Sequence, residues 1–110
     1  MTETSLDWHP DLAVVVAIDG LEGVRFATAR RPALVVLDMS LPGLDGVGVG
    51  EALRSRYGAG LPILVVTAGG GAAEKSRCIA AFAYLNKPFA MHLFLARVRE
   101  GLELRPVRQV

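Results

Sequence analysis

Two short apolar runs constrain this chain more than any other feature of it. Leu34-Val35-Val36-Leu37 comes after Pro32 and ends at Asp38, and Ile63-Leu64-Val65-Val66 follows Pro62 and ends at Thr67. Each is rich in β-branched residues, continuous rather than alternating, and stopped by a polar residue. A strand with one wet face alternates apolar and polar side chains, whereas a continuous run suits a strand buried on both faces of a parallel sheet. Val14-Val15-Val16-Ala17-Ile18, ending at Asp19-Gly20, has the same form. Phe82-Ala83-Tyr84-Leu85, leading into Asn86-Lys87-Pro88, is a weaker fourth.

Helical patterns fill the spaces between these runs. Residues 21–30 form a short amphipathic stretch, and residues 45–56 follow Pro42-Gly43 with Val47, Val49, Leu53 and Tyr57 as apolar positions. Gly46, Gly48 and Gly50 each cost about 1 kcal/mol relative to Ala in a helix, so loose first turns are expected there. Residues 72–81 are a third candidate. Residues 90–102 are the clearest, with Leu93, Phe94, Arg97 and Val98 at helical spacing. Strand and helix alternate through short connections, which gives βαβ units and a parallel sheet with helices on both faces.

A chain of 110 residues holds one domain, and 52% hydrophobic residues are ample for its core. With 12 basic and 11 acidic residues the net charge is +1, and Arg30-Arg31, Arg97, Arg99, Arg105 and Arg108 form no continuous basic stripe. They read as solvated helix faces, so no direct nucleic-acid contact is expected. The single cysteine, Cys78, excludes an internal disulfide and any multi-cysteine metal site, and is expected to be buried or half-buried. No apolar run reaches the roughly 18 residues of a membrane span. The first ten residues carry acids and no basic region of a signal peptide, so a cytoplasmic protein without membrane contact is expected. His9 and His92 are isolated, and Trp8 reads as an anchor for the N-terminal segment. Gly69-Gly70-Gly71 lacks the Lys and Ser/Thr of a phosphate-cradling loop, and reads as a mobile loop.

In open parallel sheets, ligands sit outside the carboxyl ends of the strands. Asp38, Thr67 and Lys87 follow three of the four runs, so neighbouring strands would bring them to one rim. A carboxylate there can attack phosphorus, while a hydroxyl and an ammonium hold the phosphoryl oxygens. Singly, each residue has a plainer reading: a helix cap, a strand end, a surface charge. Jointly, on successive strand ends, they point to phosphoryl chemistry.

The stretch from Leu34 through Asp38-Met39-Ser40-Leu41-Pro42-Gly43-Leu44-Asp45-Gly46 resembles the phosphoacceptor segment of response-regulator receiver domains. Pro62-Ile63-Leu64-Val65-Val66-Thr67-Ala68 is similar to their switch-threonine strand, and Tyr84-Leu85-Asn86-Lys87-Pro88-Phe89 to their lysine motif. Ala17-Ile18-Asp19-Gly20-Leu21-Glu22-Gly23 matches the family's second strand and the helix after it. The resemblance covers roughly residues 13–102. It implies a flavodoxin-like, three-layer α/β fold, with Asp38 as phosphoacceptor, Thr67 as switch hydroxyl, Lys87 as phosphate contact and Tyr84 as switch aromatic. It further implies a cis Lys87–Pro88 bond, a sensor histidine kinase or phosphotransfer protein as donor, and a downstream protein target.

The front of the chain departs from that pattern. The family opens with a strand ending in two acidic residues and then a helix, and only about a dozen residues precede Val14 here. The expected organisation is an N-terminal extension over 1–12, read as frayed through Pro10, a receiver-like domain over 13–103 with four strands instead of five, and a tail over 104–110. The vacancy can be met by the Val14 strand pairing directly with the Leu34 strand, or by a second copy in a homodimer; otherwise the fold is marginal. Without the acidic pair, Mg²⁺ would be held weakly, by Asp38, the Ser40 backbone carbonyl and, as a further candidate, Asp19.

Three functions compete. The first is a single-domain receiver that signals by protein contact and has at most the phosphorylation and dephosphorylation of Asp38 as its chemistry. The second is a degenerate receiver acting as a phosphorylation-independent interaction or dimerisation module. A haloacid-type hydrolase would need a second Asp two residues after Asp38, where Ser40 stands.

Overall fold

The computed structural model describes residues 3–5, 14–17, 25, 31–40 and 45–104. Strands β1 (Glu3–Ser5), β2 (Val14–Ala17), β3 (Leu34–Asp38), β4 (Ile63–Thr67) and β5 (Ala83–Asn86) lie side by side in that order in one sheet. The helices are α1 (Gly46–Tyr57), α2 (Ala72–Cys78) and α3 (Met91–Leu104), with a 3₁₀ turn at Gly58–Gly60. Of the expected helix over 21–30 only Arg25 is described, in helical conformation. Asp19, Trp8, His9, Arg105 and Arg108 lie outside the described residues.

The sheet is parallel from β2 to β5, as the continuous apolar runs require. Its strand count is five, not four, because Glu3–Ser5 pairs antiparallel with β2 through Glu3↔Ala17, Thr4↔Val16 and Ser5↔Val15. The N-terminal segment is therefore not wholly frayed. A three-residue strand there satisfies an edge that β2 would otherwise leave open. On its other side β2 pairs directly with β3, from Val14↔Leu34 to Ala17↔Leu37. That is the strand arrangement expected to compensate for the short front end.

Alternation along β3 and β4 sorts the core into two faces. Val35, Leu37, Ile63 and Val65 pack with Leu53 of α1 and with Ile79 just past α2. Leu34, Val36, Leu64 and Val66 pack with Val98, Leu93, Phe94 and Leu102 of α3. All eight strand residues are at most 3% exposed, so these two strands carry the centre of the molecule. Helices on both sides complete three layers.

Two helix ends depart from the sequence pattern. α1 does not unravel at its glycines. The Asp45 side chain caps it by accepting from the Gly48 amide at 3.0 Å, and Gly50 lets the helix approach Ile79 so closely that a Cβ would lie 2.6 Å from Ile79 Cγ2. α2 stops at Cys78 rather than at Ala81. Ala80 adopts φ 54°, while the Ala81 and Ala80 amides donate to the Ser76 and Arg77 carbonyls at 2.8 and 3.2 Å, a left-handed closing turn made without glycine. Cys78 is exposed, not buried, because Ala72, Ser76 and Ile79 take the inward side of this segment.

Arg54 ties α1 to that closing turn. Its guanidinium donates to the carbonyls of Ile79, Ala80, Gly58 and Leu61 at 2.8, 2.8, 2.8 and 2.6 Å. Partial burial draws its pKa down from the usual arginine value, and the four carbonyls compensate the charge there. Replacing Arg54 by Met, which keeps the stem and removes the donors, should cost about 2 kcal/mol in urea unfolding, since hydrogen bonds to charged groups are worth about 1.5–3 kcal/mol. Gly101→Ala should cost about 1–3 kcal/mol in the same measurement, because an added Cβ collides with Leu34 and Phe82 where α3 crosses the sheet.

Candidate functional site

Register brings three strand ends to one rim. Asp38 ends β3 opposite Val66, and Thr67 ends β4 opposite Asn86, the residue before Lys87. Two backbone bonds carry the ladder past the strands: Met39 N–H donates to the Val66 carbonyl, and Lys87 N–H to the Thr67 carbonyl, both at 2.8 Å. The Lys87–Pro88 bond is cis.

At this rim the Lys87 Nζ donates to Asp38 Oδ2 at 2.6 Å across 49 residues of sequence. The other oxygen, Oδ1, accepts from the Ser40 amide at 2.9 Å and the Ser40 hydroxyl at 2.6 Å. Ser40 Oγ also lies 3.4 Å from Lys87 Nζ, so carboxylate, hydroxyl and ammonium form one closed network. The Asp38 side chain is 15% exposed and that of Lys87 38%, which leaves the rim reachable by an anionic donor. Thr67 is buried, its Oγ1 accepting from the Gly69 amide at 3.3 Å. Tyr84 stands three residues before Lys87 on β5, 43% exposed, and borders a cavity against α2 rather than filling the core.

Burial pushes the Asp38 carboxyl up, but hydrogen bonds from Lys87 and from the Ser40 side chain and amide outweigh it. The group therefore sits below the ordinary carboxylate range and is ionised at neutral pH. An ionised carboxylate beside a cation can attack an electrophilic phosphorus, and the same cation can then neutralise the oxygens it brings.

Fit to a divalent cation is partial. Among the described residues no group of three or more His, Cys, Asp and Glu side chains could hold a metal. Asp38 is the carboxylate at this rim, and a cation such as Mg²⁺ keeps several waters and needs only one or two carboxylates.

The sequence pattern points to Ser40 for its backbone carbonyl alone, whereas in the structure its side chain bonds to Asp38. The spacing of two residues after Asp38 was visible, but a hydroxyl folding back onto its own strand end depends on the local turn. Arg54 was also missed, since nothing in the helix pattern distinguishes an arginine that finds four carbonyls from one in solvent.

Residues 1–99 match the family model of the response regulator receiver domain. The chain is 44% identical over 89 residues to Response regulator MprA of Mycobacterium leprae, covering 79% of this chain and 39% of that protein. MprA of Mycobacterium ulcerans is also 44% identical, over 88 residues, covering 78% of this chain and 38% of the relative. The chain thus spans less than half the length of these relatives. Among solved structures it resembles the receiver domain of NtrX from Brucella abortus, with 26% identity, a TM-score of 0.70 and coverage of 79% of this chain and 75% of that one. It also resembles the receiver domain of a sensor histidine kinase from Pseudomonas aeruginosa, solved with magnesium in the active-site cleft, with 28% identity, a TM-score of 0.67 and coverage of 77% and 72%.

A carboxyl with a depressed folded-state pKa contributes stability that is present above its unfolded value and lost as pH falls through the folded one. Unfolding midpoints followed below about pH 4 should therefore decline more steeply for the native chain than for Asp38→Asn. Identical acid limbs would show that the Lys87 and Ser40 contacts do not hold the carboxylate in solution.

Proposed function

This chain belongs to the response regulator receiver family of two-component signalling, and from that premise we propose that Asp38 is its phosphoacceptor. Response regulators of this kind are in general signalling proteins rather than enzymes. The observation that carries the proposal is the 2.6 Å contact between Lys87 Nζ and Asp38 Oδ2, made by residues from separate strands at the rim where parallel sheets bind ligands.

In the proposed reaction an Asp38 oxygen attacks the phosphorus of a phosphodonor. The bond from phosphorus to the leaving group breaks, and its electron pair departs with the donor. Lys87 moves from the carboxylate to the incoming phosphoryl oxygens, which keeps a cation beside the negative charge throughout. The Thr67 hydroxyl exchanges the Gly69 amide for a phosphoryl oxygen and so reports the modified state to the loop after β4. Tyr84, exposed on β5, is the aromatic that follows this change. A divalent cation, when bound by Asp38, the Ser40 carbonyl and Asp19, would supply neutralising charge for the transferred group. The donor is a sensor histidine kinase or phosphotransfer protein, and the output is contact with a downstream protein or a second copy of the chain, all in the cytoplasm. Among the described residues no helix is long and apolar enough to cross a membrane. The working unit is residues 13–103.

A second reading is supported by the same site. With one carboxylate at the described rim and both of its oxygens engaged by neighbours, a receiver that works as a phosphorylation-independent interaction module fits as well. Acetyl phosphate with Mg²⁺, followed by intact-mass analysis, should add one phosphoryl group slowly to the native chain and none to Asp38→Asn. Absence of labelling, together with undiminished partner binding by Asp38→Asn, would transfer support to the second reading. Tight beryllofluoride trapping on Asp38 would show that metal binding is not weak.

A further inference from the structure

The Asp38 carboxylate is held unevenly, and the unevenness singles out one of its oxygens. Each carboxylate oxygen has two lone pairs that can accept a hydrogen bond. Among the described residues Oδ1 takes two donors, the Ser40 amide at 2.9 Å and the Ser40 hydroxyl at 2.6 Å. Oδ2 takes one, Lys87 Nζ at 2.6 Å. The lone pair left for attack is therefore on Oδ2. Resting on the reading of Asp38 as phosphoacceptor, we propose that the Ser40 hydroxyl is a positioning group that closes Oδ1 and reserves Oδ2 for the phosphoryl group.

The Ser40 amide would not do this by itself. An Asp side chain that accepts from the backbone two residues on makes an ordinary Asx turn, which any residue but proline could complete at position 40. The hydroxyl is the part that the turn does not require, and it fills the second lone pair. It also accepts from Lys87 Nζ at 3.4 Å, so one side chain links Oδ1 to the cation on Oδ2. The carboxylate plane is thus held at both oxygens, against the rotation that would exchange them. Position gives the choice a consequence. Oδ2 is the oxygen that meets β5 through Lys87, and β4, which ends in Thr67, lies between β3 and β5. A phosphoryl group on Oδ2 arrives on the side of Lys87 and Thr67, whereas one on Oδ1 would lie against the Ser40 turn. With acetyl phosphate the Oδ2–P bond forms as the bond from phosphorus to the acetyl oxygen breaks, and the electron pair leaves with acetate. No proton moves, so the Ser40 hydroxyl keeps its bond to Oδ1 throughout.

Threonine and valine are close in size and differ by a hydroxyl, so Ser40→Thr and Ser40→Val separate the hydrogen bond from bulk. Initial rates of labelling of the full chain by acetyl phosphate and Mg²⁺, read by intact mass over a range of donor concentrations, provide the test. Ser40→Ala and Ser40→Val should each fall about tenfold in maximal rate, with the half-saturating donor concentration unchanged, because orientation is lost and donor binding is not. Ser40→Thr should restore the rate to within about twofold of the native chain. A serine needed only for its bulk or for the turn would show Ser40→Thr and Ser40→Val alike. That result, or labelling of Ser40→Ala at or above the native rate, would overturn the proposal and leave Asp38 as acceptor. A native chain that takes no label, or label that persists in Asp38→Asn, would overturn the acceptor reading and this proposal with it.

Discussion

The contact between Asp38 and Lys87 depends on β3, β4 and β5 being parallel neighbours in a fixed register. A slip of one residue on β5 would turn Lys87 to the opposite face of the sheet and part it from Asp38. The register is held because one set of alternating side chains on β3 and β4 belongs to the α1 face and the other to the α3 face. Burial on both sides leaves no alternative that keeps the apolar residues out of water. The backbone bonds from Met39 to Val66 and from Lys87 to Thr67 then extend that order to the rim where Asp38, Ser40 and Lys87 meet.

The periphery is secured differently. α1 and the end of α2 are joined by apolar contact at Leu53, Gly50 and Ile79 and by one guanidinium gathering four carbonyls. These carbonyls lie at element ends, where backbone acceptors have no partner within their own helix or strand. One cation therefore satisfies acceptors from three separate segments, and it fixes the turn at Ala80 although no glycine is there to favour it.

At the rim, the ground state is well satisfied. Both oxygens of Asp38 are engaged, and the charge that lowers its pKa also shields it. Such a carboxylate is ionised, and under the proposed phosphotransfer it must give up an existing contact before it accepts a phosphoryl group. Lys87 is suited to that exchange, since its partly exposed, flexible side chain can follow the negative charge from one set of oxygens to the next.

The parallel core is legible in the residues alone, and so is the gathering of Asp38, Thr67 and Lys87 at its edge. Continuous β-branched runs ending in Asp38 and Thr67 can be buried only in one way, and that way carries their terminal polar residues to a common rim. Three features escaped it, for a shared reason. The antiparallel Glu3–Ser5 strand, the Arg54 clasp and the side-chain role of Ser40 each depend on which backbone groups come within reach after packing. The exposure of Cys78 is hidden likewise, because the composition of a short helix does not reveal which side meets the sheet. Periodicity encodes what must avoid water. Which hydrogen-bonding group finds which partner is settled only when distant segments meet in three dimensions.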